Sequence, residues 1–124
     1  MTEEDKKRLA ADTDGLQCYE YLANNIDTCD GDMDIIIENI SRADINGQFS
    51  ASAARYLHAI DPEKYASSID RLVEVTIDRD REHRYLADIL QSLYGPDYEE
   101  RATELNATDN NFRRIYKRLF PIGM

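Results

Sequence analysis

The stretch "DRDREHRYL" at residues 78 to 86 sets Asp80 and His83 three positions apart. At that spacing a carboxylate and an imidazole share one face of a helix and can share a metal ion. Ferritin-like dimetal proteins carry Glu-x-x-His on each of two helices and a further carboxylate on each of two others. Here "DREH" is a single Asp-x-x-His, and the second histidine, His58, has Arg55 three residues before it. Glu20 or Glu38 would have to complete the set. A structural zinc takes four ligands and this pair offers two, so the chain is expected to hold no stoichiometric metal and no cofactor. The competing reading is a solvated pair of helical turns in which Asp80 meets Arg84 at the i, i+4 spacing.

Other chemistry is thinner. "DTCDGDMD" at residues 27 to 34 concentrates aspartates, but no frame of it supplies the oxygen positions, glycine and terminal glutamate of a calcium-binding EF-hand loop. Its reading is a turn between helices with capping aspartates. Helical ribonucleases use an arginine and a histidine four to six residues apart in the intervening count, and only three residues separate Arg79 from His83. The phosphate loops, dinucleotide turns and nucleophile elbows of common enzymes are absent, and neither Cys18 nor Cys29 has a nearby histidine or a CxxC partner. The chain is expected not to be an enzyme, and its thiols to be free.

Charge points to binding. Residues 1 to 108 carry 24 acids against 11 lysines and arginines, and residues 109 to 124 carry a net +3, within an overall −10. Such a body repels duplex DNA and anionic lipid, so direct nucleic-acid binding is not expected and a protein partner would be basic. Candidate contact residues are Asp78, Asp80, Glu82 and Tyr85 on the polar stretch, with Tyr21, Asp30, Asp32 and Asp34 elsewhere; Tyr21 and Tyr85 fall off the apolar stripes and would be exposed. The main functional expectation is an acidic, non-enzymatic helical protein acting by protein–protein interaction, as an inhibitor or regulator that occupies a basic, nucleic-acid-binding surface. One alternative is a ferritin-like metal protein built on Asp80 and His83. Another is a small regulator contacting nucleic acid through "NNFRRIYKRLFP", where Arg113, Arg114, Lys117 and Arg118 line one face. A homo-oligomer is compatible with all three.

These residues need helices to position them. The chain has five glycines, three prolines and no strand-like alternation, which predicts an all-α fold in one domain spanning residues 1–124. About six helices are expected: residues 3–27 with Thr2 as cap and a break at Gly15, a second from Asp32 to Asn46, a short third capped by Ser50, then a long one over 62–94. That long helix begins at Asp61-Pro62 and meets no glycine or proline before Gly95. Along it Ile69, Val73, Thr76, Asp80, His83, Ala87, Leu90 and Tyr94 step by four and three. Asp97 with Glu100 suggests a capping box for a fifth helix, and Thr108 or Asp109 opens a sixth that ends at Pro121. Residues 1–13 offer little but Leu9 to bury and are expected to fray. No internal repeat, linker or low-complexity segment is evident.

The predicted core is Leu16, Tyr19, Ile36, Ile37, Ile40, Tyr56, Leu57, Ile60, Ile69, Val73, Leu90, Leu93, Ile115 and Leu119. Enclosing residues 78 to 84 would take several charges out of water. The middle of the long helix is therefore expected to be solvated, and joint removal of Asp80 and His83 to cost little. "MTEEDKKRLAADTDG" has no apolar run of the signal-peptide kind, so the expected location is cytoplasmic, away from membranes, and the sequons at Asn39 and Asn106 are chance matches.

Overall fold

A computed structural model describes residues 1–121 of the chain. Its helices are α1 (Glu3–Ala10), α2 (Leu16–Asn24), α3 (Met33–Ala43), α4 (Gln48–Ile60), α5 (Ala66–Arg79), α6 (Leu86–Tyr94), α7 (Ala102–Thr108) and α8 (Asn110–Leu119), with a short 3-10 turn at Asp30–Asp32. The described residues contain no strand, and no helix among them is long and apolar enough to cross a membrane. The all-α class is as the pattern predicts. The count is eight rather than about six, and the single long helix over 62–94 does not exist.

That helix is broken in two by residues 80–85. Asp61 does accept the Glu63 and Lys64 amides at 3.2 and 3.0 Å, but the residues after Pro62 form a turn and regular helix begins only at Ala66. Other boundaries moved for similar local reasons. Thr2 and Asp5 form a reciprocal capping box that closes α1, and Leu9 is fully buried beneath it. Ser50 does not cap α4, because it lies inside the first turn. The amide of Glu100 returns to the backbone carbonyl of Asp97 rather than to a capping side chain, and α7 starts only at Ala102. Asp109 is the cap of α8, accepting the Phe112 amide at 2.9 Å and the Tyr94 hydroxyl at 2.9 Å.

The packing order is that of a ladder. Helices α2, α4 and α6 lie side by side in one row, and α1, α3, α5 and α8 in the other; α2 pairs with α3, α4 with α5, and α6 with α8. The α2/α3 pair touches the α4/α5 pair but not α6 or α8, and α7 packs on α8 alone. Helix pairs that bury their apolar sides only against adjacent pairs are the construction of a solenoid. The most extensive rung is α4 on α5, and α4 buries the small side chains of Ala51, Ala53 and Ala54.

The core runs the length of this ladder through Leu9, Leu22, Ile36, Ile37, Ile40, Leu57, Leu72, Leu86, Ile89, Leu90, Phe112 and Ile115, all fully buried. Ile69 and Val73 join it as predicted, and Tyr19, Tyr56, Leu93 and Leu119 are half-buried at its margin. Leu16 and Ile60 were expected inside and are instead 41% and 49% exposed. Leu16 is the first residue of α2, directly after a turn, and Ile60 is the last of α4, and a helix end has fewer neighbours to cover it than a helix middle. Phe112 centres an aromatic group, with Tyr94 and Tyr98 edge-on at 5.0 and 6.3 Å and Tyr116 stacked at 5.4 Å. Replacing Leu90 by alanine would leave a cavity between α6 and its neighbours, and urea unfolding should show a loss of about 2–5 kcal/mol.

Candidate functional site

The turns before α2, α4 and α6 share one construction. Asp12, Asp44 and Asp80 are each almost fully buried, and each folds its carboxylate over the start of the following helix. Asp12 accepts the amides of Gly15 at 3.1 Å and Cys18 at 2.9 Å. Asp44 accepts those of Gly47 at 3.1 Å and Ser50 at 2.8 Å, with the Ser50 hydroxyl at 2.7 Å. Asp80 accepts three: Arg84 at 2.8 Å, Tyr85 at 2.7 Å and Leu86 at 3.0 Å. In every case the residue six positions on gives its amide to the aspartate. Helix starts carry unpaired amides and a positive dipole end, so a buried carboxylate is stable there.

This is an internal repeat, contrary to the reading of the sequence. The three aspartates stand 32 and 36 residues apart, and the residue three positions after each has positive φ: Gly15 at 101°, Gly47 at 87° and His83 at 56°. The turns also touch one another. A Cβ on Gly15 would lie 3.2 Å from that of Phe49, and one on Gly47 would lie 3.3 Å from that of Asp80. Arginines tie the rungs together: the Arg42 guanidinium donates to the Leu9 carbonyl at 3.1 Å, and that of Arg79 donates to the Asp44 carbonyl.

Electrostatics at the first turn follow from burial. Desolvation alone would raise the Asp12 carboxyl, but the amides of Cys18, Asp14 and Gly15 hold it below its ordinary value. The Cys18 thiol is pushed up to about 12 by its own burial and then by Asp12. Cys18 is thus a neutral packing residue at physiological pH.

Asp80 and His83 are therefore not a ligand pair on a helix face. Both Asp80 oxygens hold main-chain amides, and His83 is an exposed residue at the glycine-like position of a turn. Among the described residues, no group of three or more histidines, cysteines and carboxylates is arranged to hold a metal. The expectation that residues 78 to 84 are solvated holds for Asp78, Arg81, Glu82, His83 and Arg84, holds in part for the half-buried Arg79 and fails for Asp80, which is 2% exposed.

The other acidic candidates have cations of their own. Asp30 pairs with Lys64 at 2.9 Å, Asp32 with the Met1 amino group at 3.3 Å and Asp34 with Arg71 at 2.7 Å. Asp78 pairs with Arg114 at 3.5 Å, and Glu82 with Arg84 at 2.6 Å. Tyr21 and Tyr85 are half-buried and packed on the core rather than exposed. On the basic helix, Arg113 donates to the Asn106 carbonyl at 3.1 Å and to the Asn110 side chain, and Arg118 donates to the Arg114 carbonyl at 2.9 Å. Lys117 and Arg118 face solvent, while Phe112 and Ile115 hold the opposite face in the core.

The turns bring two of the candidates, Asp80 and Glu82, together with residues that charge and periodicity had not marked. Between the second and third lies a hollow of about 220 Å³ lined by Ile45, Asn46, Arg79, Asp80, Arg81, Glu82 and Arg84. Ile45 follows the buried Asp44 and is 77% exposed, the most exposed large apolar side chain among the described residues. The only signal for it in the sequence is an isoleucine inside the polar run "ADING".

A ladder of helix pairs with a stacked edge of turns defines the chain as a short helical-repeat protein. No family model, no curated protein and no solved structure matches it.

Proposed function

We propose that this chain is a non-enzymatic binding module that presents its row of stacked turns to another protein. Solenoids of this construction offer one extended face built from equivalent positions in successive repeats. The observation that carries the reading is Ile45. A single exposed aliphatic residue is unremarkable on most surfaces, but this one lines a hollow and stands on a turn held by three hydrogen bonds to Asp44. An anchor held in place before binding loses little conformational freedom on contact, which favours affinity. Leu16, 41% exposed at the start of α2, extends the apolar character along the same edge.

The proposal relocates the contact surface from the acidic rows. The reading of a carboxylate surface that occupies a basic partner keeps the net charge of −10 in its support. Its named carboxylates each have a partner within the chain, Asp80 in hydrogen bonds to main-chain amides and the others in ion pairs, most of them exposed and weakly held.

A pull-down from the native host with quantitative mass spectrometry separates the two. Proteins retained by the wild type should be lost about tenfold or more with Ile45→Asp, whose exposed position leaves the circular dichroism spectrum and melting temperature unchanged. The paired change Asp30→Lys with Asp34→Lys should retain them. Equal recovery with Ile45→Asp removes the turn edge from consideration, and loss with the lysine variant restores the acidic surface.

A further inference from the structure

We infer that the hollow between the second and third turns takes a short segment of a partner protein in which an aliphatic or aromatic side chain is flanked by carboxylates; this rests on the turn edge being the contact surface. The apolar half of the argument is Ile45, which stands exposed at the mouth of the hollow. The polar half is arginine. Arg79, Arg81 and Arg84 all line the same hollow, and a guanidinium presents a planar fork that matches a carboxylate.

Two carboxylates share the space, and neither closes it to an acidic segment. Asp80 is buried with both oxygens bonded to main-chain amides. Glu82 pairs with Arg84, but both side chains are largely exposed, at 70% and 63%, and an exposed pair of that kind is weakly held and exchanges readily for another carboxylate. Arg79 is fixed by the Asp44 carbonyl and so is already oriented. Arg81 is exposed and has no carboxylate partner among the described residues. Asp44, next to Ile45, is buried with its oxygens bonded to Gly47 and Ser50, and the more distant acids are screened over roughly 8 Å at physiological salt.

The test is selection of a displayed library of random short peptides on the full chain, followed by fluorescence anisotropy with the selected sequences. The expected winners carry Asp or Glu next to Leu, Ile, Phe or Trp. Their affinity should fall about tenfold or more with Ile45→Asp and with Arg81→Glu, and should weaken as salt rises. Winners that are basic or uncharged, yet still lost with Ile45→Asp, overturn the inferred chemistry and leave the turn edge as the contact surface. Winners indifferent to both substitutions, or no winners at all, overturn the inference and count against the turn edge itself. Circular dichroism of each variant separates lost binding from lost fold.

Discussion

Asp80→Ala is expected to destabilise the protein by about 3 kcal/mol, read as a drop in the urea midpoint at unchanged slope. The carboxylate accepts three main-chain amides at 2.7 to 3.0 Å, and that of Leu86 is buried. Removing an acceptor from a buried donor costs about 1–3 kcal/mol, and loss of a helix cap typically about 1 kcal/mol. The Arg84 and Tyr85 amides are only partly buried, so water recovers some of theirs. Against a net stability of about 5–15 kcal/mol for such a domain the loss is large. Asp80→Asn should cost less, because an amide oxygen still accepts. A change below about 1 kcal/mol for Asp80→Ala would show that solvent replaces the carboxylate, as the polarity of residues 78 to 84 suggests when read alone.

Gly47→Ala should cost about 2–4 kcal/mol by the same measurement. The position has φ of 87°, where an L-residue is strained, by about 1–2 kcal/mol in the left-handed region. Its new Cβ would also lie 3.3 Å from the Asp80 Cβ, 3.4 Å from the Asp80 nitrogen and 3.4 Å from the Thr76 Cα. Only the first of these is tighter than ordinary van der Waals contact, and it belongs to a buried residue with little room to give, so crowding adds about 1–2 kcal/mol. Two changes calibrate the result. Gly31→Ala, with open space around it and an ordinary φ, should move stability by less than about 0.5 kcal/mol. His83→Gly, which relieves the same backbone conformation at the outermost turn, should raise stability by about 0.5–1 kcal/mol. If Gly47→Ala is as mild as Gly31→Ala, the turns do not pack on one another as described.

The helical class was legible because the apolar spacings of α3, α4 and α5 are long and regular, and eight of the predicted core residues are buried. The break at Asp80 was not, for two reasons. Thr76, Asp80, His83, Ala87 and Leu90 keep steps of four and three across the turn, so the helical period runs on arithmetically where the helix does not. The residue in the left-handed position is histidine rather than glycine, so the usual mark of a break is missing. The repeat was hidden for a related reason. "DTDGLQC" and "DINGQFS" share an aspartate and a glycine, but "DREHRYL" shares only the aspartate with both. What the three turns have in common is where the backbone amides go. Net charge could not show which acids are paired, because the cations that meet Asp34 and Asp78 lie far along the chain, at Arg71 and Arg114, and only the packing of α5 on α3 and of α8 on α5 brings them together.

Position 83 differs from positions 15 and 47 in one further respect. Gly15 and Gly47 each have a following turn pressed against them, and that neighbour is what excludes a side chain there. His83 is exposed, with the corresponding place beyond it open to solvent. The imidazole can therefore be read as a terminus written into the chain: it tolerates a backbone conformation that suits glycine, and it occupies the space that another rung would need. Lengthening this protein by packing a copy of the α4/α5 unit beyond the α6/α8 pair would then call for more than helices of the right polarity. The turn that ceases to be outermost would have to give up its side chain.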